Sequence, residues 1–385
     1  MTLRIERVYA QGRTVVRLIG RVQSKCLAEI DAQIEGSESR LALDLEEVTL
    51  VDVEAVRFLG ACEQRGIELL HCAPYIRHWM ESERGTRQKR ESTPMTNNPN
   101  ELTVENSTSS SLPDIGHVTT SQIGGLEIRL ARSGRSDGIP ILLTSPWPES
   151  IYAFRGILPA IKGLGPLILV DLPGFGRSES RPDVMSPEAM GDFVIKLADH
   201  LGVGRLHAVA PDVGTSALLF AAARKPTLFE SVVVGDGVTS PELAGAGLKE
   251  LIESPAGAFA SAEGGDIGAG FVTQSAAIKT PAVVLEDYRL SSAGRRFEEA
   301  AQYVRAYPRD LPRLKALLPS IETPVLVLAG RNDPIVPPPN GQLLADLLPH
   351  CRHTLLEGGH LIWEDAAEAY SAHLAQWVQK GYRSV

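Results

Sequence analysis

Apolar residues recur along this chain at two spacings, and the alternation between them marks out its elements. In residues 1–81, LRIERVYAQG and RTVVRLIGRV read as two strands joined at Gly12, and SKCLAEIDAQIEG places Leu27, Ile30 and Ile34 on one face of a helix. The buried run RLALDLEEV predicts a further strand, VDVEAVRFLGACEQRG a helix ended by Gly66, IELLHCA a short strand and YIRHWMESERG a last helix. The predicted order is ββαβαβα. Residues 82–116 then lose all apolar periodicity. This stretch is rich in Ser, Thr, Asn and charge, cannot bury enough surface to offset ordering entropy, and predicts a linker.

From residue 117 to 385 short apolar runs alternate with amphipathic stretches. IPILLT (139–144), PLILVD (166–171), RLHAVA (205–210), SVVVGD (231–236), PVLVLAG (324–330) and HTLLE (353–357) predict strands. AFRGILPAIKG and SPEAMGDFVIKLADHLG are long enough for crossover helices. Both parts are therefore of the α/β class, and the second predicts a doubly wound, mostly parallel sheet whose function gathers at the C-terminal ends of its strands.

Composition narrows the function. With 43% apolar and 22% charged residues the chain can bury an ordinary core, and a formal charge of -9 supplies no electrostatic footprint for nucleic acid or an anionic membrane. No apolar run approaches the length of a membrane span and the first residues lack a signal-like apolar stretch, so a cytoplasmic protein is expected. The four cysteines, Cys26, Cys62, Cys72 and Cys351, lack C-x-x-C spacing and are read as structural thiols rather than metal ligands. Neither metal nor cofactor is implied, and the expected partner is a small-molecule substrate.

The most informative segment is RLHAVAPDVGTSALLFAAARKP, in which a strand meets Asp212 and a helix begins at once. A sharp strand-to-helix turn needs small residues two before and two after its tip, and Ala210 and Gly214 meet that demand. Asp212 would be a nucleophile. An acid and a base follow in chain order: Asp333 in PVLVLAGRNDPIVP, and His360 after the Gly-Gly turn of HTLLEGGHLIWED. His207, His350, His353 and His373 have no comparable setting and are read as ordinary structural histidines.

Together these residues resemble the α/β-hydrolase family over roughly 117–385, and the Asp at the elbow resembles its epoxide hydrolase and haloalkane dehalogenase branch. DLPGFGRS (171–178) looks like the family's D-x-x-G-x-G-x-S turn, and SPWPES (145–150) like its H-G-F-P-E-S segment with Ser145-Pro146 in place of His-Gly. The resemblance implies an oxyanion hole from the backbone N–H groups of Trp147 and Val213, and a cap domain at about 238–322 between the sixth and seventh strands. It also implies cap tyrosines as proton donors, for which Tyr288, Tyr303 and Tyr307 are available, although Val304 stands where the N-W-Y-R pattern has Tyr. Epoxide hydrolysis through a covalent Asp212 ester is the first expectation. Carbon–halogen hydrolysis, or ligand sensing without turnover, are the alternatives.

Residues 1–81, through LALDLEEVTLVDVEAVRFL, resemble the STAS family of small α/β domains, which implies a protein partner for this part. Where regulatory members carry a phosphorylated serine at the start of a helix, this chain has Asp52-Val53-Glu54-Ala55, with no hydroxyl to accept phosphate.

Overall fold

A computed structural model describes residues 3–10, 13–22, 24–35, 41–51, 53–72, 76, 77, 80 and 112–385. They fall into two units that divide near residue 106. Asp52, residues 82–111 of the expected linker and most of the expected helix 75–85 lie outside the described residues.

In the first unit the elements are β1 (Arg4–Ala10), β2 (Arg13–Val22), α1 (Leu27–Glu35), β3 (Leu41–Asp44), β4 (Val48–Val51), α2 (Val53–Gln64) and β5 (Glu68–Leu70). β1 pairs antiparallel with β2, while β2 pairs parallel with both β3 and β4, and β3 parallel with β5. RLALDLEEV supplies β3, and a further strand that was not expected, β4, starts at its last residue, Val48. The chain turns at Leu45, with the Val48 N–H donating to the Leu45 carbonyl, and re-pairs with β2 beyond Gly20. Leu27 is partly buried, and Ile30 and Ile34 of α1 are buried against Val16, Leu18, Val56 and Leu59, as the helical spacing predicts.

The second unit runs β6 (His117–Ile123), β7 (Leu126–Gly134), β8 (Ile141–Thr144), α3 (Leu158–Ile161), β9 (Pro166–Val170), α4 (Pro187–His200), β10 (Leu206–Pro211), α5 (Val213–Arg224) and β11 (Phe229–Gly235). Five longer helices follow: α6 (Ala246–Glu253), α7 (Gly264–Ser275), α8 (Ala282–Ser292), α9 (Arg296–Arg305) and α10 (Tyr307–Leu317). The chain ends with β12 (Val325–Gly330), α11 (Pro339–Leu347), β13 (Cys351–Leu356), α12 (Ile362–Asp365) and α13 (Ala367–Gln379).

Eight strands form one sheet in the order β13-β12-β11-β10-β8-β9-β7-β6, parallel except where β7 meets β6 and β9. The antiparallel hairpin β6–β7 was not among the expected strands. Its residues alternate buried and exposed at an edge, so no continuous apolar run announces it. The six expected strands are all present; β8 to β12 are buried on both faces, while β13, at the far edge of the sheet, is only partly buried. Leu142, Ala208, Val232 and Val325 enter one core with α4 and α5, while Ile141, Val209, Val233 and Leu326 enter the other with α13. Ile115 is also buried in that second core, so ordered packing begins slightly before residue 117.

Local signals set the helix starts that matter. Ser186 caps α4 by accepting from the Ala189 N–H, and Pro187 occupies its first turn. The insertion between β11 and β12 is helical and is tied to the sheet by buried charge. Arg129 of β7 donates a two-pronged pair of bonds, 2.9 Å each, to Asp287 of α8, which also accepts from Ser150 at 2.6 Å.

Candidate active site

Asp212 sits between β10 and α5 at φ 53°, ψ -125°, a backbone conformation that costs a residue with a side chain about 1–3 kcal/mol. The surroundings hold it there. Its N–H donates to the Gly235 carbonyl at 2.9 Å, and its carbonyl accepts from Thr215 at 3.0 Å. A Cβ on Gly214 would lie 2.6 Å from Thr144 Oγ1, and one on Gly237 2.4 Å from Thr215 Cβ, so both neighbours of the turn must be glycine.

The strained turn presents the carboxylate to three groups. The Trp147 N–H donates to Asp212 Oδ2 at 2.8 Å, and the neighbouring Val213 N–H also favours the charged carboxylate. His360 Nε2 stands 3.7 Å from Oδ1. His360 Nδ1 is 2.7 Å from Asp333 Oδ2, whose other oxygen accepts from the Ile335 and Val336 N–H groups at 2.7 and 3.0 Å. These bonds fix the Asp333 carboxylate and so the plane of the ring. The sequence-predicted Asp212, Asp333 and His360, 121 and 27 residues apart in turn, thus meet at the ends of β10, β12 and β13.

Burial works against charge on both partners of the 3.7 Å pair, with opposite outcomes. It lowers the proton affinity of His360, but the charge and hydrogen bond of Asp333, with Asp212 and Asp236 behind, outweigh it and push the imidazole up to about 9. Burial raises the Asp212 carboxyl above its ordinary value against the pull of His360 and the two N–H groups. A carboxylate, an imidazole fixed by a second carboxylate, and N–H groups aimed at the first carboxylate are an arrangement that can form and hydrolyse an ester.

The three tyrosines part company. Tyr288 donates to Glu364 at 2.5 Å and accepts from Arg155 at 3.0 Å. Tyr303 donates to the Val213 carbonyl at 2.7 Å and lies 3.2 Å from Ser216 Oγ, which makes it a brace beneath the elbow. Tyr307 packs edge-on against Tyr303, with centroids 5.8 Å apart, and its hydroxyl feels the Asp212 charge while making no hydrogen bond among the described residues. The indole N–H of Trp147 is likewise buried without a partner, its ring 5.0 Å from that of Phe297.

The family model described as alpha/beta hydrolase fold matches residues 139–367. The chain belongs to the alpha/beta hydrolase fold family. An uncharacterized hydrolase, YugF, of Bacillus subtilis is 26% identical over 244 residues, covering 60% of this chain and 86% of the relative. A haloalkane dehalogenase of Psychrobacter cryohalolentis is 24% identical, covering 69% and 92%, and a soluble epoxide hydrolase of Corynebacterium 29% identical over 116 residues, covering 30% and 40%. Among solved structures, haloalkane dehalogenase DbeA from Bradyrhizobium elkani matches with a TM-score of 0.61 at 22% identity, covering 70% of this chain and 99% of that one. At that identity the likeness speaks for the fold.

In this hydrolase fold several residues near the site escaped sequence reasoning. Asp236 ends β11 at φ 45°, only 3% exposed, with one oxygen accepting from the Gly330 N–H at 2.9 Å and the other unpartnered. Burial and the neighbouring Asp333 raise its carboxyl well above the usual range. Its signal was a Gly-Asp-Gly at the end of a buried parallel strand. Asp171, in the DLPGFGRS turn, accepts from the Ile151 and Arg177 N–H groups and from Arg129, and so holds the loop that follows Trp147.

His207 bonds Ser231 at 2.8 Å and is pushed down to about 4 by burial. Cys62 and Cys351 are pushed up to about 11 and about 12 by burial. In the first unit Asp44, Glu46 and His71 lie close enough to share a metal ion, but Asp44 already bonds His71 at 2.9 Å and Arg17 at 3.4 Å. Those bonds hold Asp44 below its ordinary value despite burial and raise His71, as an ion pair requires.

Among the described residues no helix is long and apolar enough to cross a membrane.

Proposed function

We propose that this protein hydrolyses a small carbon electrophile, an epoxide before a haloalkane, through an ester on Asp212. The observation that carries this reading is the strained Asp212 carboxylate, bonded by the Trp147 N–H and facing His360 Nε2 at 3.7 Å. In the first step an Asp212 oxygen attacks carbon, the carbon–oxygen bond of the epoxide breaks and the released oxygen takes a proton. Of the three tyrosines, Tyr307 is the one whose hydroxyl makes no hydrogen bond among the described residues, and it would give this proton. In the second, His360 takes a proton from water, the hydroxide adds to the Asp212 carbonyl carbon, and the N–H groups of Trp147 and Val213 hold the resulting oxyanion. Its collapse breaks the ester carbon–oxygen bond, and the departing alkoxide takes the proton back from His360 and leaves as alcohol, freeing Asp212. Asp333 stabilises the imidazolium.

Ester hydrolysis at the aspartyl carbonyl has an isotopic signature. A single turnover in heavy-oxygen water should place label in the Asp212 carboxylate, read by mass spectrometry of its peptide. Label found only in the product would mean that water attacks the substrate directly.

The haloalkane reading is favoured by one feature, the buried Trp147 indole N–H without a partner, which a departing halide could accept. Steady-state assays with matched epoxides and haloalkanes separate the two.

The domain reading is part of the same proposal: a STAS-like unit at 1–81, a linker at 82–116 and the hydrolase unit from 117, with the front unit binding a protein partner. It is supported by the front unit's own core of Val16, Leu18, Ile30, Leu43, Val56 and Leu59. Residues 112–385 expressed alone should keep the kcat and melting temperature of the full chain. A large loss of either would defeat the modular reading.

A further inference from the structure

Behind the Trp147 loop lies a buried acid pair that the ester chemistry does not use. Glu149 is fully buried in the segment that carries Trp147, and Glu364 is 9% exposed on α12, four residues after His360. Glu149 Oε2 accepts from the Trp363 indole N–H at 2.9 Å. Its other oxygen, Oε1, has no donor among the described residues, while the Glu364 carboxyl, next in the chain to Trp363, is close enough to raise its proton affinity. Two carboxylate oxygens can meet in a dry interior only with a proton between them.

The charges around the pair say which acid holds it. Arg155 forks onto both oxygens of Glu364, one of them at 2.8 Å, and Tyr288 of α8 donates to the same group at 2.5 Å. Glu364 thus has a cation and a hydroxyl donor to stabilise its negative charge. Glu149 has one indole N–H, and burial followed by the Glu364 charge drives its carboxyl well above the usual range. One cation against two acids leaves one acid neutral.

The pair also joins three parts of the site. Glu149 is two residues from the N–H that bonds Asp212, Trp363 stacks edge-on against His360 with centroids 5.7 Å apart, and Tyr288 belongs to the helical insertion. We propose that Glu149 and Glu364 hold a single proton between them, and that the neutral Glu149 is a positioning residue that fixes the Trp147 loop against the segment bearing His360. Trp147 is thereby held at Asp212 without a second buried charge to force the loop outward. The kinetic consequence rests on the ester mechanism proposed above; the shared proton does not.

Two variants of the full chain test it. Glu149→Gln places an amide where the protonated acid stood, donating to Glu364 and accepting from Trp363, whereas Glu149→Leu can do neither. In the resting protein without substrate, infrared difference spectra of parent against Glu149→Gln should show loss of a carboxylic-acid C=O band that shifts in heavy water. Glu149→Leu should slow ester formation, followed by quench and intact mass, by about 10–100-fold, the cost of a slightly misplaced donor. Glu149→Gln should rescue most of that rate. Absence of the band, or a Gln variant as slow as the Leu variant, overturns the proposal. If the parent forms no ester at all, it is the Asp212 mechanism that fails, and the infrared band alone then decides whether the proton is shared. A Leu variant that does not fold leaves the band and the Gln rate to decide.

Discussion

His360→Gln should lower kcat by about 10²–10⁴-fold, the range removed with a general base, and leave most of the enzyme as an alkyl ester on Asp212. On the proposed mechanism the first step needs an ionised carboxylate and a tyrosine proton but not His360, and survives; the second needs a base for water and does not. Intact mass spectrometry after mixing with an epoxide should show the adduct, which stays absent if His360 has no part in deacylation. A pH dependence accompanies this. The second step requires neutral imidazole, so its rate climbs as pH rises through the pKa of His360, about 9 in the resting protein. Part of that elevation comes from the Asp212 charge, which the ester removes, so the kinetic limb should lie below the resting value. In His360→Gln the limb should vanish. A limb that persists in the variant would assign the base elsewhere.

Asp212→Asn should abolish turnover, by about 10⁴-fold or more as for loss of a nucleophile, and yield no ester. The amide oxygen can still accept from the Trp147 N–H at the position now 2.8 Å away, so the loop has no reason to move. What disappears is the anionic oxygen. The same change removes a negative charge beside His360, and the imidazole should therefore titrate below about 9, with Asp333 still holding it above an unpaired histidine. Titration of the ring by NMR reads this without substrate. Retained turnover in Asp212→Asn would sink the covalent reading, and an unmoved imidazole would show that the two groups do not interact.

Much of this site was legible in the chain because its parts are local. Ala210, Asp212 and Gly214 announce a strained turn within five residues, since a Cβ at Gly214 has no room beside Thr144. Asp333 and His360 follow predicted strands, and parallel sheets collect such residues at one edge. The five buried strands β8 to β12 were equally visible as continuous apolar runs, because helices cover both faces of the sheet. The β6–β7 hairpin was not, since an edge strand half open to solvent carries alternating residues and no run.

What the amino-acid order could not decide was where long-range partners point. Tyr288, Tyr303 and Tyr307 are equivalent as letters, yet Glu364 takes the first, the Val213 carbonyl takes the second, and Tyr307 packs edge-on against Tyr303 with its hydroxyl bonded to neither. Asp236 and Asp333 both end strands with an acid, but Asp333 reaches the His360 ring while Asp236 is turned to the Gly330 N–H by its own backbone. Glu149 and Glu364, 215 positions apart in the chain, become a pair only when the sheet brings the Trp147 loop to α12. Local spacing determines the turn that exposes Asp212, because sterics act within a few residues. The protonation and partners of everything around it are tertiary, because desolvation and Coulomb energy depend on what the folded chain places within a few ångströms.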